Sequence, residues 1–223
     1  MIVRKSFDQE LEMIRALIRQ MGETTLKFVE ASVTCLVAFD MAQAKNIRHY
    51  ESEIDRMYRE IDEKCVAIIA TQQPIAGDLR FLIASIKIAG EIERIADYAN
   101  NIAKRVQKKL PNEDLAQCGT LCGMVRTMGD QAVSMLKDSL LAYTEGDANR
   151  IDNIVSQDEM VDQLNRTLLS EIINTVAPSS KNQQTVLELH TAIRYIERVA
   201  DRATNIGEAV FYMSTGFPYV KKT

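Results

Sequence analysis

The sequence predicts an all-α protein made of two tandem homologous three-helix bundles, six long helices in all. Three observations lead there. Ala, Leu, Ile, Glu, Arg and Met dominate the composition, while only 9 Gly and 4 Pro interrupt 223 residues, so most of the chain loses little freedom on becoming helical. Apolar residues recur at spacings of three and four over unusually long stretches, the mark of amphipathic helices. The chain is also written twice.

The duplication is regular enough to number. Met21, Gly22 and Glu23 fall on Met128, Gly129 and Asp130 at an offset of 107, which also carries Asp40 onto Asp147, Glu51 onto Asp158 and Asp55 onto Asp162. After a three-residue deletion the offset becomes 104. It then carries Pro74 onto Pro178 and "ERIADYANNIA" (93–103) onto "ERVADRATNIG" (197–207), with seven of eleven positions identical. A unit of about a hundred residues is therefore repeated, with halves at 1–110 and 111–223.

In the first half, Phe7, Leu11, Ile14, Leu17, Ile18 and Met21 form one stripe of a helix expected over 7–43. Asn46 is placed to cap a second helix, which "QQPIAGD" ends with Pro and Gly, and Asp78 to cap a third that reaches Lys109. The cations of "KRVQKK" suit a helix carboxyl end, and "LPNED" separates the halves. The second half repeats the pattern over about 113–146, 148–176 and 181–214, leaving "TGFPYVKKT" as a frayed tail. Short connections make successive helices antiparallel neighbours.

Composition narrows the function. With 27 basic against 31 acidic residues there is no basic footprint for nucleic acid. No apolar run reaches the roughly 18 residues of a bilayer span, and the amino terminus has charges where a signal peptide needs an apolar core. A soluble, cytoplasmic protein is expected. Cys35, Cys65, Cys118 and Cys122 include no Cys-x-x-Cys pair and read as reduced, partly buried thiols without chemistry.

The repeated acids carry the functional signal. Glu93, Asp97 and Asn101 lie four apart on one helix, off its apolar stripe, and Glu197, Asp201 and Asn205 repeat them. Carboxylates four apart repel by a few tenths of a kcal/mol. A merely solvated face has no reason to keep this order while its neighbours drift from Tyr98 to Arg202 and from Asn100 to Thr204. Glu51 and Asp55 form a second pair on the preceding helix, repeated as Asp158 and Asp162. Each half thus directs four carboxylates and an amide oxygen to one interhelical groove, a set of hard donors suited to Mg, Mn, Ca or iron. His49 and His190 complete no Glu-x-x-His pair, which sets the redox di-iron pattern aside. No phosphate-binding loop, nucleophile elbow or triad is present, so a non-enzymatic protein is expected. Arg94 and Arg198, beside the acids, are expected to pair with carboxylates on a neighbouring helix, or else to meet an anion or an acidic partner.

Together, the duplicated "ERIADYANNIA" and "ERVADRATNIGEAVFYMSTG", the "FDQELEMIRALIRQMG" opening, the "QPIAGDLRFLIASIKI" stretch and the paired acids resemble the PhoU family of accessory regulators of bacterial phosphate-specific transport, over about Phe7 to Gly216. The resemblance implies two three-helix bundles bearing multinuclear metal clusters, with iron foremost and manganese, zinc, magnesium or calcium as alternatives. It implies repression of the phosphate-starvation response through contacts with the ATP-binding subunit of the phosphate transporter and a sensor histidine kinase. Two long quasi-equivalent bundles with exposed grooves add the expectation of a homodimer. By position, the family's metal residues fall on Glu51, Asp55, Glu93, Asp97 and Asn101, and on Asp158, Asp162, Glu197, Asp201 and Asn205. Asp158 is one methylene shorter than Glu51, so the two sites are expected to differ in nuclearity or affinity. The rival reading is a helical adaptor or trafficking factor for a phosphate permease with no functional metal. An oxygen-activating metalloenzyme ranks third, for want of imidazole ligands.

Overall fold

A computed structural model describes residues 2–110, 119–176 and 183–221. Its helices are α1 (Ile2–Ala38), a single short turn α2 (Met41–Asn46), α3 (His49–Gln72), α4 (Ala76–Lys109), α5 (Gly119–Glu145), α6 (Arg150–Glu171) and α7 (Gln183–Thr215). A π-helical turn, Ile172–Val176, extends α6. Helices α1, α3 and α4 pack into one bundle and α5, α6 and α7 into its repeat; α4 lies against α7 and α1 against α5. The expected helix starts at 113–118 and 181–182, and Cys118, lie outside the described residues.

The first helix ends at Ala38, five residues before the expected stop, because the chain turns there through a left-handed residue. Phe39 has φ 52° and the Asp40 amide donates to Cys35 O at 3.1 Å, the bond that closes a Schellman turn. The Asp40 carboxylate then accepts from the Gln43 amide at 2.8 Å and caps α2. The second half repeats the device: Gly146 has φ 67°, Asp147 N donates to Ala142 O, and the Asp147 side chain accepts from the Asn149 amide. The repeated pair Asp40 and Asp147 therefore builds turns. Asn46 does not cap α3 but ends α2, and its carbonyl accepts from His49 Nδ1 at 2.8 Å. Asp78 sits in the first turn of α4, after the N-cap Ile75, where its charge complements the helix dipole.

Two contacts reveal a pseudo-twofold axis between the bundles. A Cβ built on Gly22 would stand 2.6 Å from Leu140 Cδ2, and one on Gly129 would stand 2.4 Å from Val33 Cγ1. The offset of 107 maps each contact onto the other, so the repeated Met-Gly marks where α1 and α5 cross. The two sites are not equally forgiving. Leu140 meets the extra carbon with the far end of a flexible side chain, whereas Val33 meets it with a β-branched group whose χ1 is nearly fixed in a helix. Gly22→Ala is expected to be near neutral, helped by helix propensity. Gly129→Ala should lose about 1–2 kcal/mol to overpacking, read as a lower midpoint in urea at unchanged slope.

The α4–α7 seam is antiparallel and is layered every seven residues. Arg105 forms an ion pair with Glu188, Tyr98 stacks on Tyr195 at 5.8 Å between centroids, and Arg202 meets Glu91 at 3.3 Å. In the fourth layer Ala84 and Ala209 leave a cavity of about 310 Å³. The offset of 104 exchanges the outer layers with each other and the inner layers with each other. Tyr98 and Arg202 occupy equivalent positions, and each found a complement on the other half. The drift from Tyr98 to Arg202 is thus matched by the drift from Glu91 to Tyr195.

Candidate metal centre

Helix α3 presents Glu51 and Asp55 half-buried beside the core positions Ile54 and Met57. Helix α4 presents Glu93 and Asn101 half-buried and Asp97 exposed, flanking the buried Ile92, Ile95, Ala96 and Ala99. Because α3 packs on α4, the two rows share one groove. Their charges show it. Burial raises the pKa of Glu93, and Asp97, Asp55 and Glu51 push it further up against the opposing effect of Arg94. Asp97 is raised by burial and then by Glu51 and Asp55, with Lys104 and Arg94 pulling the other way. Lys104 Nζ also stands 3.8 Å from Glu51 Oε1, a partial internal counter-charge.

The second groove lies between α6 and α7. Asp158, Asp162, Glu197 and Asn205 are half-buried and Asp201 is exposed. Burial drives the Asp158 pKa to about 6, helped by Asp201, Asp162 and Glu197 and resisted by Lys221. Asp201 is raised by burial and by Asp162, against Arg202 and Arg198. Glu197 lies 3.7 Å from Arg194. Asn205 donates through Nδ2 to Glu91 at 3.3 Å across the seam; donation through nitrogen leaves the amide oxygen as its acceptor atom.

Both rows of each half therefore come to one groove. All the carboxylates are hard oxygen donors, and their mutual repulsion is what a bound cation relieves. In donor chemistry and charge the residues fit a metal. Among the described residues, however, no three His, Cys, Asp or Glu side chains are gathered tightly enough to hold an ion as they stand.

Other expectations resolve differently. Among the described residues Arg198 pairs with no carboxylate on a neighbouring helix; its guanidinium lies over the rings of Tyr98 and Tyr195 at 5.7 and 5.9 Å, a cation–π arrangement. Arg94 is exposed and makes no ion pair among the described residues. Burial raises the thiols of Cys35 and Cys65 to about 11 and about 12, which keeps them protonated and unreactive at neutral pH. Burial, with Arg194 nearby, lowers the His190 pKa. The tail is not frayed. Residues 216–221 fold back onto α6, where Tyr219 donates to Asp152 at 2.9 Å and Lys221 reaches Glu159 at 2.5 Å. Sequence reasoning missed Glu91, Lys104 and Lys221 around the grooves. The only signal for any of them was the repeat itself, which sets Lys104 opposite Glu208 at the offset of 104.

A family model described as the PhoU domain matches residues 18–106 and again 125–210. A Pseudomonas putida protein named phosphate-specific transport system accessory protein PhoU homolog is 35% identical over 214 residues, 96% of this chain and 82% of that protein. A Clostridium acetobutylicum protein of the same name is 32% identical, over 96% and 97% of the two chains. The crystal structure of PhoU from Pseudomonas aeruginosa superposes with a TM-score of 0.85 at 33% identity, over 95% of this chain and all of that one. That of the phosphate transport system regulatory protein PhoU from Streptococcus pneumoniae gives 0.81 at 27% identity, over 96% of this chain and all of that one. With the family model matched in both halves and relatives this similar over nearly its whole length, the chain belongs to the PhoU family.

Proposed function

We propose that this protein is a metal-binding, non-enzymatic negative regulator of phosphate uptake and phosphate-starvation signalling. It acts as an accessory protein of the phosphate transport system, in keeping with the names of its relatives. Its partners are the ATP-binding subunit of the transporter and the sensor histidine kinase, and it works as a cytoplasmic homodimer that reaches the membrane through them. Among the described residues no helix is long and apolar enough to cross a membrane.

The observation that carries the metal half of the reading is the twofold occurrence of a groove in which burial and neighbouring carboxylates raise the pKa of two acids, Glu93 and Asp97 in the first half and Asp158 and Asp201 in the second. Such a groove costs stability unless a cation occupies it. When bound, multinuclear metal, iron foremost, would supply the positive charge that offsets that repulsion. Glu51, Asp55, Glu93, Asp97 and Asn101 hold it in the first half, and Asp158, Asp162, Glu197, Asp201 and Asn205 in the second. Asp97→Ala with Asp201→Ala is expected to lower metal content severalfold and to derepress a phosphate-starvation reporter in phosphate-replete cells. Unchanged repression in a variant that has lost its metal would sever the metal from the regulation.

One observation favours a metal-free adaptor instead. Each acidic region already has a lysine beside it, Lys104 at Glu51 and Lys221 at Glu159. Retention of the transporter subunit on immobilised protein in excess EDTA supports that reading, and its release supports the metal.

A further inference from the structure

The two grooves obtain their internal counter-charge from different places. In the first, Lys104 belongs to α4 itself and stands 3.8 Å from Glu51. Its repeat partner on α7 is Glu208, so the second half has exchanged that cation for an acid. The C-terminal segment supplies one in its place. After α7 the chain turns at Gly216, with φ 80°, where a Cβ would press on Arg80 Nη1. It then runs back along α6 and is held at two points. The Tyr219 hydroxyl donates to Asp152 Oδ1 at 2.9 Å while its ring meets Phe211 edge-on at 5.4 Å, and Lys221 Nζ stands 2.5 Å from Glu159 Oε1. Glu159 adjoins Asp158 in sequence, and Lys221 is close enough to be felt by Asp158 and Asp162.

We propose that Lys221 is a removable counter-cation of the second acidic groove: it pins the strap of residues 216–221 to α6 and gives way when a divalent ion takes the acids. The proposal rests on the metal reading above. Its physical basis is competition. A single ammonium on a flexible, exposed stem holds its carboxylate weakly in water, whereas a divalent ion bridging several carboxylates removes the negative potential that attracts it. Among the described residues the first groove has no such latch, because its lysine belongs to the helix itself. Release of the strap also has a local consequence, since Pro218 and Tyr219 line the cavity over Ala84 and Ala209 at the α4–α7 seam. Metal at the second groove would thereby uncover a seam that metal at the first groove leaves closed.

Mn²⁺ titration of the full chain tests this, with calorimetry reporting affinity and hydrogen exchange reporting residues 216–221. Second-groove binding is identified as the part lost in Asp201→Ala. The wild-type strap should exchange faster on Mn²⁺ saturation, and Asp201→Ala should abolish that response. Lys221→Ala should bind Mn²⁺ at the second groove about two- to fivefold more tightly, the scale of one exposed ion pair, with a strap that already exchanges fast without metal. Equal affinity in wild type and Lys221→Ala, or strap exchange unchanged or slowed by Mn²⁺, overturns the proposal and leaves the metal reading intact. Binding of Mn²⁺ to neither protein overturns both.

Discussion

Glu188→Ala is expected to destabilise the protein by about 3 kcal/mol, the scale for breaking a buried ion pair by removing one partner. Glu188 is only 3% exposed and joins Arg105 across the α4–α7 seam. Without it the Arg105 guanidinium, whose pKa is raised by Glu188 before any other group, is left with its hydrogen bond to Tyr195 among the described residues. The cost falls on the contact between the halves rather than within either bundle. Denaturant unfolding should therefore lose cooperativity, with the slope falling as the halves begin to separate before they melt. The exchanged pair, Arg105→Glu with Glu188→Arg, should recover part of the loss, because the layer remains one acid facing one base. Failure of the exchange to recover any stability would mean that the seam reads more than charge.

Asp158→Asn is expected to do the opposite to the chelated protein and stabilise it at pH 7 by about 1 kcal/mol, less than the full electrostatic value because solvent reaches the groove. Burial, followed by Asp201 and Asp162, holds the Asp158 pKa at about 6, against 3.8 for the unhindered group. A carboxyl raised in the folded state takes up its proton there before the unfolded chain does. Ionised Asp158 therefore weakens the fold above pH 6, and that penalty is relieved as pH falls from about 6 towards 3.8. The advantage of the Asp158→Asn variant should shrink over the same interval in melting curves recorded with EDTA. With Mn²⁺ in excess the order should reverse, since the variant has lost a ligand and the wild type gains binding energy. A variant less stable than wild type in EDTA at pH 7 would show that Asp158 is held by contacts and is not repelled.

Much of this was legible in the residues, because the repeat turns one observation into two. The offset of 107 set Gly22 on Gly129, and both prove to be the close crossing of α1 and α5. It set Asp40 on Asp147, and both prove to be turn caps. The same offset thus carried architecture and candidate ligands together, and only geometry separates Asp40 from Asp55. What stayed hidden lies between elements remote in the chain. The layers at 84, 91, 98 and 105 find their complements about a hundred residues away, so neither Glu91 nor Arg105 looks unusual in its own helix. Arg198 was expected on a carboxylate because acids surround it in sequence, yet two aromatic rings converge beneath it at the seam. "TGFPYVKKT" reads as an ending because Gly and Pro stop a helix, while its anchors Asp152 and Glu159 stand on another helix altogether.

The central claim is that both grooves bind metal through the paired acids, and anomalous scattering from crystals of protein purified without chelators tests it most directly. A peak is expected between Glu51, Asp55, Glu93 and Asp97, a second between Asp158, Asp162, Glu197 and Asp201, and neither in crystals of Asp97→Ala with Asp201→Ala. Flat anomalous density in both wild-type grooves, in protein that still represses the phosphate-starvation reporter, would contradict it.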